Sequence, residues 1–451
     1  MMWTIVAGGL LLLLSNAGSV LAGEELRVGA AAISIAGDDS MVIGGGIHAA
    51  YAKGQEGNLR TVAVVLQKGH QKLVLVACDV LFVPRDLIDP VSAEIEKTCG
   101  IPSSNILINA THTHHAPSTA RVHGYQREEL FCRNLQKAIG EAVRQANNQL
   151  KEGEAQMSFW LGEESTVGQN SRQLQRDGTI YWVGPQTEFL RPTGPFDPDL
   201  PVLAFTDPAS RKLKAMIFNH STHTIGSRKP GVRSPGFYGL AAQELEPELG
   251  GAVCFLEGAS GSTHNLTLST DEMILRIKNA VREAFARAEP RPVSHLSAFK
   301  QSFRFQIRTF DEAKEDKAVT DYCRKYAPAY ADKIIDVFRQ QRKLLAPQQG
   351  QVRTTWVQTL VIGDVAIVGV PAEFFTRLGL DIKRRSPYRY TCVAELANDW
   401  IGYLPDRKAF ELGGYQTWTG LHSYAAAGTG EAMVDEAVVM LKRLHGQRPS
   451  E

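Results

Sequence analysis

The sequence predicts a layered α/β protein, a sandwich of mixed β-sheets flanked by helices. Short runs rich in Val, Ile and Leu alternate with amphipathic stretches along the whole chain, as is typical of sheets covered by helices. Segments 359–363 and 366–370 flank a Gly-Asp pair, which predicts a hairpin and therefore some antiparallel pairing. With 451 residues, 43% of them hydrophobic, the chain can bury a large core.

The individual elements follow from hydrophobic periodicity. The predicted strands are the short apolar runs 61–66, 73–77, 105–110, 213–218, 252–256, 359–363 and 366–370. The predicted helices are the amphipathic segments 86–98, 127–150, 240–249, 271–288, 316–345 and 431–444. In the second of these helices, four apolar residues recur at helical spacing with charges between them: Leu130, Leu135, Ile139 and Val143.

The N-terminal segment predicts export. Residues 5–14 are apolar, and small residues before position 23 suit a signal-peptidase site. Because this run is too short to span a bilayer and no later segment approaches that length, we expect a signal peptide at 1–22 and no integral membrane span. Residues 23–451 are then one secreted or periplasmic domain, with a possible helical insertion at 311–350.

The charge balance argues against a nucleic-acid partner. Forty-nine basic residues stand against forty-eight acidic ones, which gives a net charge of +1. A nucleic-acid-binding protein needs a basic excess or a basic stripe to neutralise phosphates, and neither is present in the sequence. We therefore expect a small-molecule or lipid-like ligand. The sequence predicts no oligomeric state.

Histidines concentrate where predicted strands end. The strand 105–110 leads directly into His112 and His114, and an extended backbone would place both rings on one face. This pair alone leaves two interpretations open, a metal site or a hydrogen-bonded loop pair. The strand 213–218 likewise leads into His220 and His223. Two such groups favour a metal site, and imidazole ligands with an open position suit a hydrolytic zinc centre.

Two further segments carry candidate site residues. Glu373 follows the predicted strand 366–370, where its carboxylate can complete a metal shell. Its alternative role is that of a carboxylate favoured at a helix N-terminus. Segment 396–405 contains Trp400 and Tyr403, and its alternative interpretation is a tight turn closed by packed aromatic rings.

The ordered set of these motifs resembles the catalytic domain of the neutral/alkaline (non-lysosomal) ceramidase family, as a single-domain bacterial-type member. The resemblance covers residues 25–445, nearly the whole predicted mature chain. Besides the strand that leads to His220, its motifs are NATHTH (109–114), FLEGASG (255–261), VPAE (370–373), ANDWIGYLP (397–405) and GGY (413–415).

The resemblance implies a zinc amidohydrolase. It implies one zinc ion per chain, bound by His112, His220, Glu373 and Tyr403. It also implies that His114 acts as general base or proton shuttle. Arg172 and Tyr415 would be hydrogen-bond donors that hold the substrate carbonyl or the oxyanion.

Several departures from the family pattern put the substrate in question. Ser262 replaces an acidic residue, and His264 stands where ceramidases have a functional serine, which makes His264 a candidate catalytic residue. His223 is an additional imidazole, and the sequence leaves open whether it or His264 joins the metal shell. Arg172 is displaced by one residue, and the C-terminal β-sandwich of ceramidases is expected to be missing.

These observations predict a secreted zinc-dependent amidohydrolase that acts on ceramide-like N-acyl substrates. One alternative is a non-catalytic ligand-binding relative of the same fold. Another is a zinc esterase acting on other lipid-like substrates. A two-metal phosphoesterase is disfavoured because such sites use several Asp ligands. A serine hydrolase is disfavoured because the sequence has no Gly-x-Ser-x-Gly elbow after a strand.

Overall fold

A computed structural model describes residues 25–265 and 267–447. The predicted signal peptide, 1–22, lies outside these residues. The strands are β1 Leu26–Ser34, β2 Arg60–Lys68, β3 Gln71–Cys78, β4 Ile106–Ala110, β5 Gln156–Glu163, β6 Gln169–Asn170, β7 Gln173–Gln175, β8 Phe189–Pro192, β9 Asp199–Thr206, β10 Leu213–His220, β11 Ala252–Glu257, β12 Thr263–His264, β13 Glu289–Arg291, β14 Leu296–Gln306, β15 Val352–Ile362, β16 Val365–Gly369, β17 Glu373–Phe374, β18 Tyr390–Ala394 and β19 Tyr403–Leu404.

The helices are α1 Arg85–Cys99, α2 Glu129–Gln149, α3 Gly236–Leu249, α4 Thr270–Arg287, α5 Glu312–Tyr326, α6 Ala331–Leu345, α7 Thr376–Arg385, α8 Arg407–Leu412 and α9 Thr429–Gly446. Short 3-10 turns occur at Ser103–Asn105, Leu150–Glu152, Ala346–Gln348 and Tyr415–Thr417. Among the described residues, no helix combines the length and the apolar character needed to cross a membrane.

Three mixed sheets form the body of the protein, as the sequence predicted. The first has the strand order β1-β2-β3-β4, the second β11-β10-β9-β5-β13, and the third β14-β15-β16-β18. Each contains one parallel pair at an edge: β3 with β4, β10 with β11, and β16 with β18. The predicted hairpin is also present, because β15 and β16 pair antiparallel across the Gly363 turn.

The sheets share one core and are covered on their other faces by helices. Alternate residues of all three sheets, among them Leu75, Ile217 and Ile367, meet in a single buried cluster. Helices α1 and α2 cover the first sheet, α3 and α4 the second, and α7 and α9 the third. Since a strand exposes side chains on both faces, this arrangement buries both sides of each sheet.

One predicted helix is in fact two helices. The segment 316–345 was expected as a single helix, but α5 ends at Tyr326 and α6 begins at Ala331. Pro328 lies in the break, and a proline inside a helix removes a backbone hydrogen bond and clashes with the preceding turn. Both helices connect β14 to its antiparallel neighbour β15. In α2, Leu130 is 50% exposed, so it lies outside the buried stripe that the other three predicted residues form.

The parallel pairs bring chain segments from all three sheets to one place. The carboxyl ends of β4, β10 and β16 continue into the segments that carry His112, His223 and Glu373. In open α/β sheets, ligands bind outside the carboxyl ends of the strands. The fold therefore gathers the candidate site residues at the strand ends.

Candidate metal centre

Three histidines form a compact group of nitrogen atoms. His112, His114 and His223 each offer one ring nitrogen, and these atoms lie within 4.8 Å of one another. The Nε2 atoms of His112 and His114 are 3.4 Å apart. His112 and His223 are buried, with exposed fractions of 0% and 1%, whereas His114 is half-buried. This buried group can bind a metal ion.

The backbone at His112 differs from the extended geometry expected from the sequence. Strand β4 ends at Ala110, and His112 has a φ of 62°. This left-handed conformation is uncommon for residues other than glycine and costs of order 1–2 kcal/mol. The turn, rather than the period-two alternation of a strand, therefore brings the rings of His112 and His114 together.

Backbone carbonyls orient two of the three imidazoles. His112 Nδ1 lies 3.1 Å from the carbonyl oxygen of Leu81, and His223 Nδ1 lies 2.9 Å from that of Ser260. A carbonyl oxygen only accepts, so Nδ1 carries the proton in both rings and each Nε2 keeps a lone pair that faces the other donors of the group. Metal-binding histidines are held in the same way. Burial lowers the pKa of both rings, which keeps them neutral.

Glu373 and Tyr403 complete the group from two paired strands. The short strands β17 and β19 run parallel and place Glu373 beside Tyr403. Glu373 Oε2 lies 3.7 Å from His112 Nε2 and 3.5 Å from His223 Nε2. The Tyr403 hydroxyl lies 3.0 Å from His223 Nε2, and Trp400 Nε1 donates to Glu373 Oε1 at 3.2 Å. Burial raises the pKa of Glu373 to about 8.

These distances fit the donor set of a zinc ion. Donor atoms of a tetrahedral site, each about 2.0–2.1 Å from the ion, lie about 3.3 Å from one another. Three separations among the proposed donors, from His112 to Glu373, from His223 to Glu373 and from His223 to Tyr403, are 3.0–3.7 Å and bracket that value. A donor set of two imidazole nitrogens and two oxygens suits zinc.

His220 lies outside this group, which differs from the sequence-based expectation. Its Nε2 donates to the carbonyl oxygen of Glu164 at 2.9 Å, and its Nδ1 accepts from the Tyr238 hydroxyl. Both ring nitrogens are therefore occupied, and neither has a lone pair free for a metal ion. His223, three residues later, is the histidine of this segment whose ring lies in the group.

Arg172 also lies elsewhere than the resemblance implied. Its guanidinium donates to Gln416 Oε1 at 2.9 Å and to the carbonyl oxygens of Ala409 and Gly413 at 3.2 and 2.6 Å. Burial lowers its pKa to about 10. These contacts brace the chain on both sides of Tyr415, so Arg172 holds the segment that carries Tyr415.

A cavity of about 290 Å³ lies next to the histidine group. His114, His223, His264, Tyr403 and Tyr415 line it. The ring of His264 stacks on that of His223, with centroids 4.4 Å apart. The predicted catalytic residues His114, His264 and Tyr415 therefore share one cavity, whereas Arg172 lines a different one.

Apolar and aromatic side chains form much of the remaining cavity wall, Ile47, Tyr181, Trp182, Val183 and Ile225, and the polar side chains of Ser171 and Gln416 also line it. Trp182 stacks on Tyr415, with ring centroids 4.5 Å apart and planes 2° from parallel. The Tyr322 hydroxyl of α5 accepts from the backbone N–H of Trp182 at 2.7 Å and of Val183 at 3.2 Å. The helical segment between β14 and β15 therefore supports this wall.

The sequence did not reveal a buried carboxylate that supports the centre. Glu395 Oε2 accepts from the backbone N–H of Ser260 at 2.9 Å and of Phe374 at 2.7 Å, and its Oε1 accepts from the Ser260 hydroxyl at 2.6 Å. Ser260 orients His223, and Phe374 follows Glu373. The only feature of the sequence that indicates a role for Glu395 is its position as a charged residue directly after the apolar strand β18. No pattern in the sequence indicated His123, whose Nε2 lies 3.0 Å from the Tyr415 hydroxyl.

No protein-family model and no curated protein matches the sequence. The structure resembles neutral ceramidase from Pseudomonas aeruginosa, with a TM-score of 0.72 at 18% identity over 95% of this chain and 76% of that one. A ceramidase solved in complex with C2 gives a TM-score of 0.71 at 16% identity, with the same coverage. The chain therefore has the fold of the neutral ceramidases.

Proposed function

We propose that this chain is a secreted or periplasmic zinc-dependent amidohydrolase that cleaves the amide bond of ceramide-like N-acyl substrates. The observation that carries the proposal is the buried group of His112, His223 and Glu373, with Nε2 lone pairs and a carboxylate oxygen facing one point. The fold shared with ceramidase structures supports the reaction type. Export is proposed from the N-terminal sequence 1–22.

We assign the zinc ligands as His112, His223, Glu373 and Tyr403, and this assignment replaces His220 by His223. When bound there, zinc would act as a Lewis acid on the amide carbonyl and acidify a water molecule. His112 and His223 are held by backbone carbonyls, so they need little reorganisation to bind the ion. The hydroxyl of Tyr403 provides the second oxygen.

His114 is the proposed general base. It is half-buried, lines the cavity, and has its Nε2 within 3.4 Å of His112 Nε2. Burial and the neighbouring histidines lower its pKa well below the usual value, so it is neutral and able to accept a proton at neutral pH. It takes a proton from the attacking water and returns it to the leaving nitrogen.

Tyr415 is the proposed donor to the substrate carbonyl oxygen. Burial raises the pKa of its hydroxyl well above the usual value, so the group keeps its proton and can donate it in a hydrogen bond. Such a donor is worth about 3–4 kcal/mol of barrier when it faces the developing oxyanion. His264, stacked on His223 and lining the same cavity, is proposed to contact the substrate.

The proposal is tested by hydrolysis of a fluorescent N-acylsphingosine and of the matched ester, each with and without a chelator. We expect chelator-sensitive release of fatty acid from the amide. Turnover of the ester alone would favour a zinc esterase. Binding of both compounds without turnover of either would favour a ligand-binding protein and contradict the proposal.

A further inference from the structure

The direction of the hydrogen bond at the Tyr415 hydroxyl decides whether it can act on substrate. This hydroxyl lies 3.0 Å from His123 Nε2. A hydroxyl has one proton to donate and two lone pairs to accept with. If the hydroxyl donates to His123, its proton cannot also be donated to a substrate. If it accepts from His123, its proton can be donated to a group in the cavity. The tautomer of His123 determines which of these holds.

Gln341 fixes that tautomer. The backbone N–H of Leu421 donates to Gln341 Oε1 at 2.8 Å, which identifies the oxygen end of the amide by a group that can only donate. The amide nitrogen of Gln341 therefore faces His123 Nδ1, at 3.0 Å. Because an amide nitrogen only donates, Nδ1 of His123 accepts, and the ring proton lies on Nε2.

A one-directional series of hydrogen bonds results. Gln341 donates to His123, and His123 Nε2–H donates to the oxygen of Tyr415. Gln341 is 2% exposed and His123 is 6% exposed, so water does not compete freely for these bonds. Burial and the neighbouring His422 and His48 lower the pKa of His123 well below its usual value, which keeps the ring in one neutral form.

We propose that Gln341 and His123 are positioning residues that direct the hydroxyl proton of Tyr415 into the cavity, toward the carbonyl oxygen of the substrate. This inference rests on the proposed function for the identity of the acceptor. Gln341 belongs to α6, so the helical segment between β14 and β15 contributes to the chemistry as well as to the cavity wall.

The tautomer is measured directly by nitrogen NMR of the imidazoles in protein labelled at histidine. The His123 signals are assigned from their absence in His123→Gln. We expect the ring proton on Nε2 in the wild type. In Gln341→Glu the carboxylate still accepts from Leu421 but now also accepts from Nδ1–H, so the proton should move to Nδ1. A wild-type proton on Nδ1, or an unchanged tautomer in Gln341→Glu, would overturn the inference.

Kinetics then test the consequence for catalysis with the fluorescent N-acylsphingosine. Gln341→Glu, which reverses the direction of these hydrogen bonds, should lower kcat by about 10²–10³-fold, the loss typical of removing one oxyanion donor. Its KM should stay close to that of the wild type. Tyr415→Phe should show a similar loss, and the double variant should lose little more. Gln348→Glu, an equivalent charge change in the half-buried turn after α6, is the matched control and should keep wild-type kcat.

The two proposals fail in different ways. A wild-type protein that hydrolyses no N-acyl substrate would contradict the proposed function, while the NMR measurement would still decide the tautomer. Full kcat in Gln341→Glu, with the proton shown to have moved to Nδ1, would contradict the role of this series in the reaction.

Discussion

At the scale of single residues, the centre depends on backbone carbonyls more than on other side chains. Leu81 and Ser260 each present a carbonyl oxygen to an imidazole Nδ1. A carbonyl cannot change its protonation state, so it fixes the tautomer of the ring at any pH where the ring is neutral. His114 has no such carbonyl partner in the described hydrogen bonds, which suits a proton shuttle better than a ligand.

Gly45 allows His114 to occupy its position. A Cβ at Gly45 would lie 2.4 Å from His114 Nδ1, and its φ is +104°. We predict that Gly45→Ala displaces His114 and lowers kcat at least tenfold, because a general base contributes about 10²–10⁴-fold. The measurement is kcat together with unfolding in urea.

Gly54→Ala provides the matched control for this prediction. Gly54 also has a positive φ, +77°, but a Cβ there would meet no atom within 4 Å. Both variants should lose stability, by about 1–2 kcal/mol, but only Gly45→Ala should lose activity. Equal kcat in the two variants would show that contact with His114 is unimportant.

Asp79 makes the stability of the protein depend on pH. Burial raises its pKa from 3.8 to about 7, although it accepts hydrogen bonds from the backbone N–H of Arg60 and the hydroxyl of Thr111. The unfolded chain releases this proton near pH 4, so between about pH 4 and 7 the folded state binds more protons. The contribution of Asp79 to stability therefore falls as pH rises through this window, by at most about 4 kcal/mol.

We predict that Asp79→Asn removes this dependence. An amide side chain can still accept from the Arg60 N–H and donate to the Thr111 hydroxyl, but it does not ionise. The difference in Tm between the variant and the wild type should therefore grow in favour of the variant from pH 5 to pH 8. Parallel Tm curves over that range would show that the pKa of Asp79 is not raised.

At the scale of elements, Glu395 connects the ends of three strands. It follows β18, accepts from Ser260 in the segment after β11, and accepts from Phe374 in β17. Its carboxyl group is buried, and burial raises its pKa well above the usual value. Glu395 therefore joins Ser260, whose carbonyl orients His223, to the strand that supplies Glu373, without lying in the histidine group itself.

We predict that Glu395→Ala lowers metal affinity about 10–100-fold, as expected when a residue that orients ligands is lost. Glu395→Gln should restore most of it, because an amide oxygen can accept from both backbone N–H groups while the amide nitrogen faces the Ser260 hydroxyl. Competition with a coloured chelator measures the affinity. If both variants bind metal as the wild type does, Glu395 has no positioning role.

At the scale of the whole molecule, much of the architecture could be predicted from the sequence. Each predicted strand lies within an observed strand or overlaps one. The histidine segments lie at strand ends, as predicted, because apolar runs such as 213–218 lead into them. The helical break at Pro328 was missed, since the amphipathic pattern continues through it. Local periodicity reports which face is buried but does not report a four-residue interruption.

The contacts of the candidate site residues could not be predicted from the sequence. The family resemblance implied His220 as a ligand and left the part of His223 open, but β10 ends at His220 and the ring that lies beside His112 and His114 is that of His223. The Tyr238 and Glu164 groups that occupy His220 are distant in sequence. Likewise, nothing near Gln341 or His123 indicates their contact, which joins residues 218 positions apart.

The zinc content of purified wild type and His223→Ala, with His220→Ala alongside, tests the central claim most directly. Circular dichroism confirms that each variant is folded. The assignment predicts about one zinc ion per chain in the wild type, loss of that ion in His223→Ala, and its retention in folded His220→Ala. Full zinc occupancy in His223→Ala, or loss of zinc only in folded His220→Ala, would contradict the proposed ligand set.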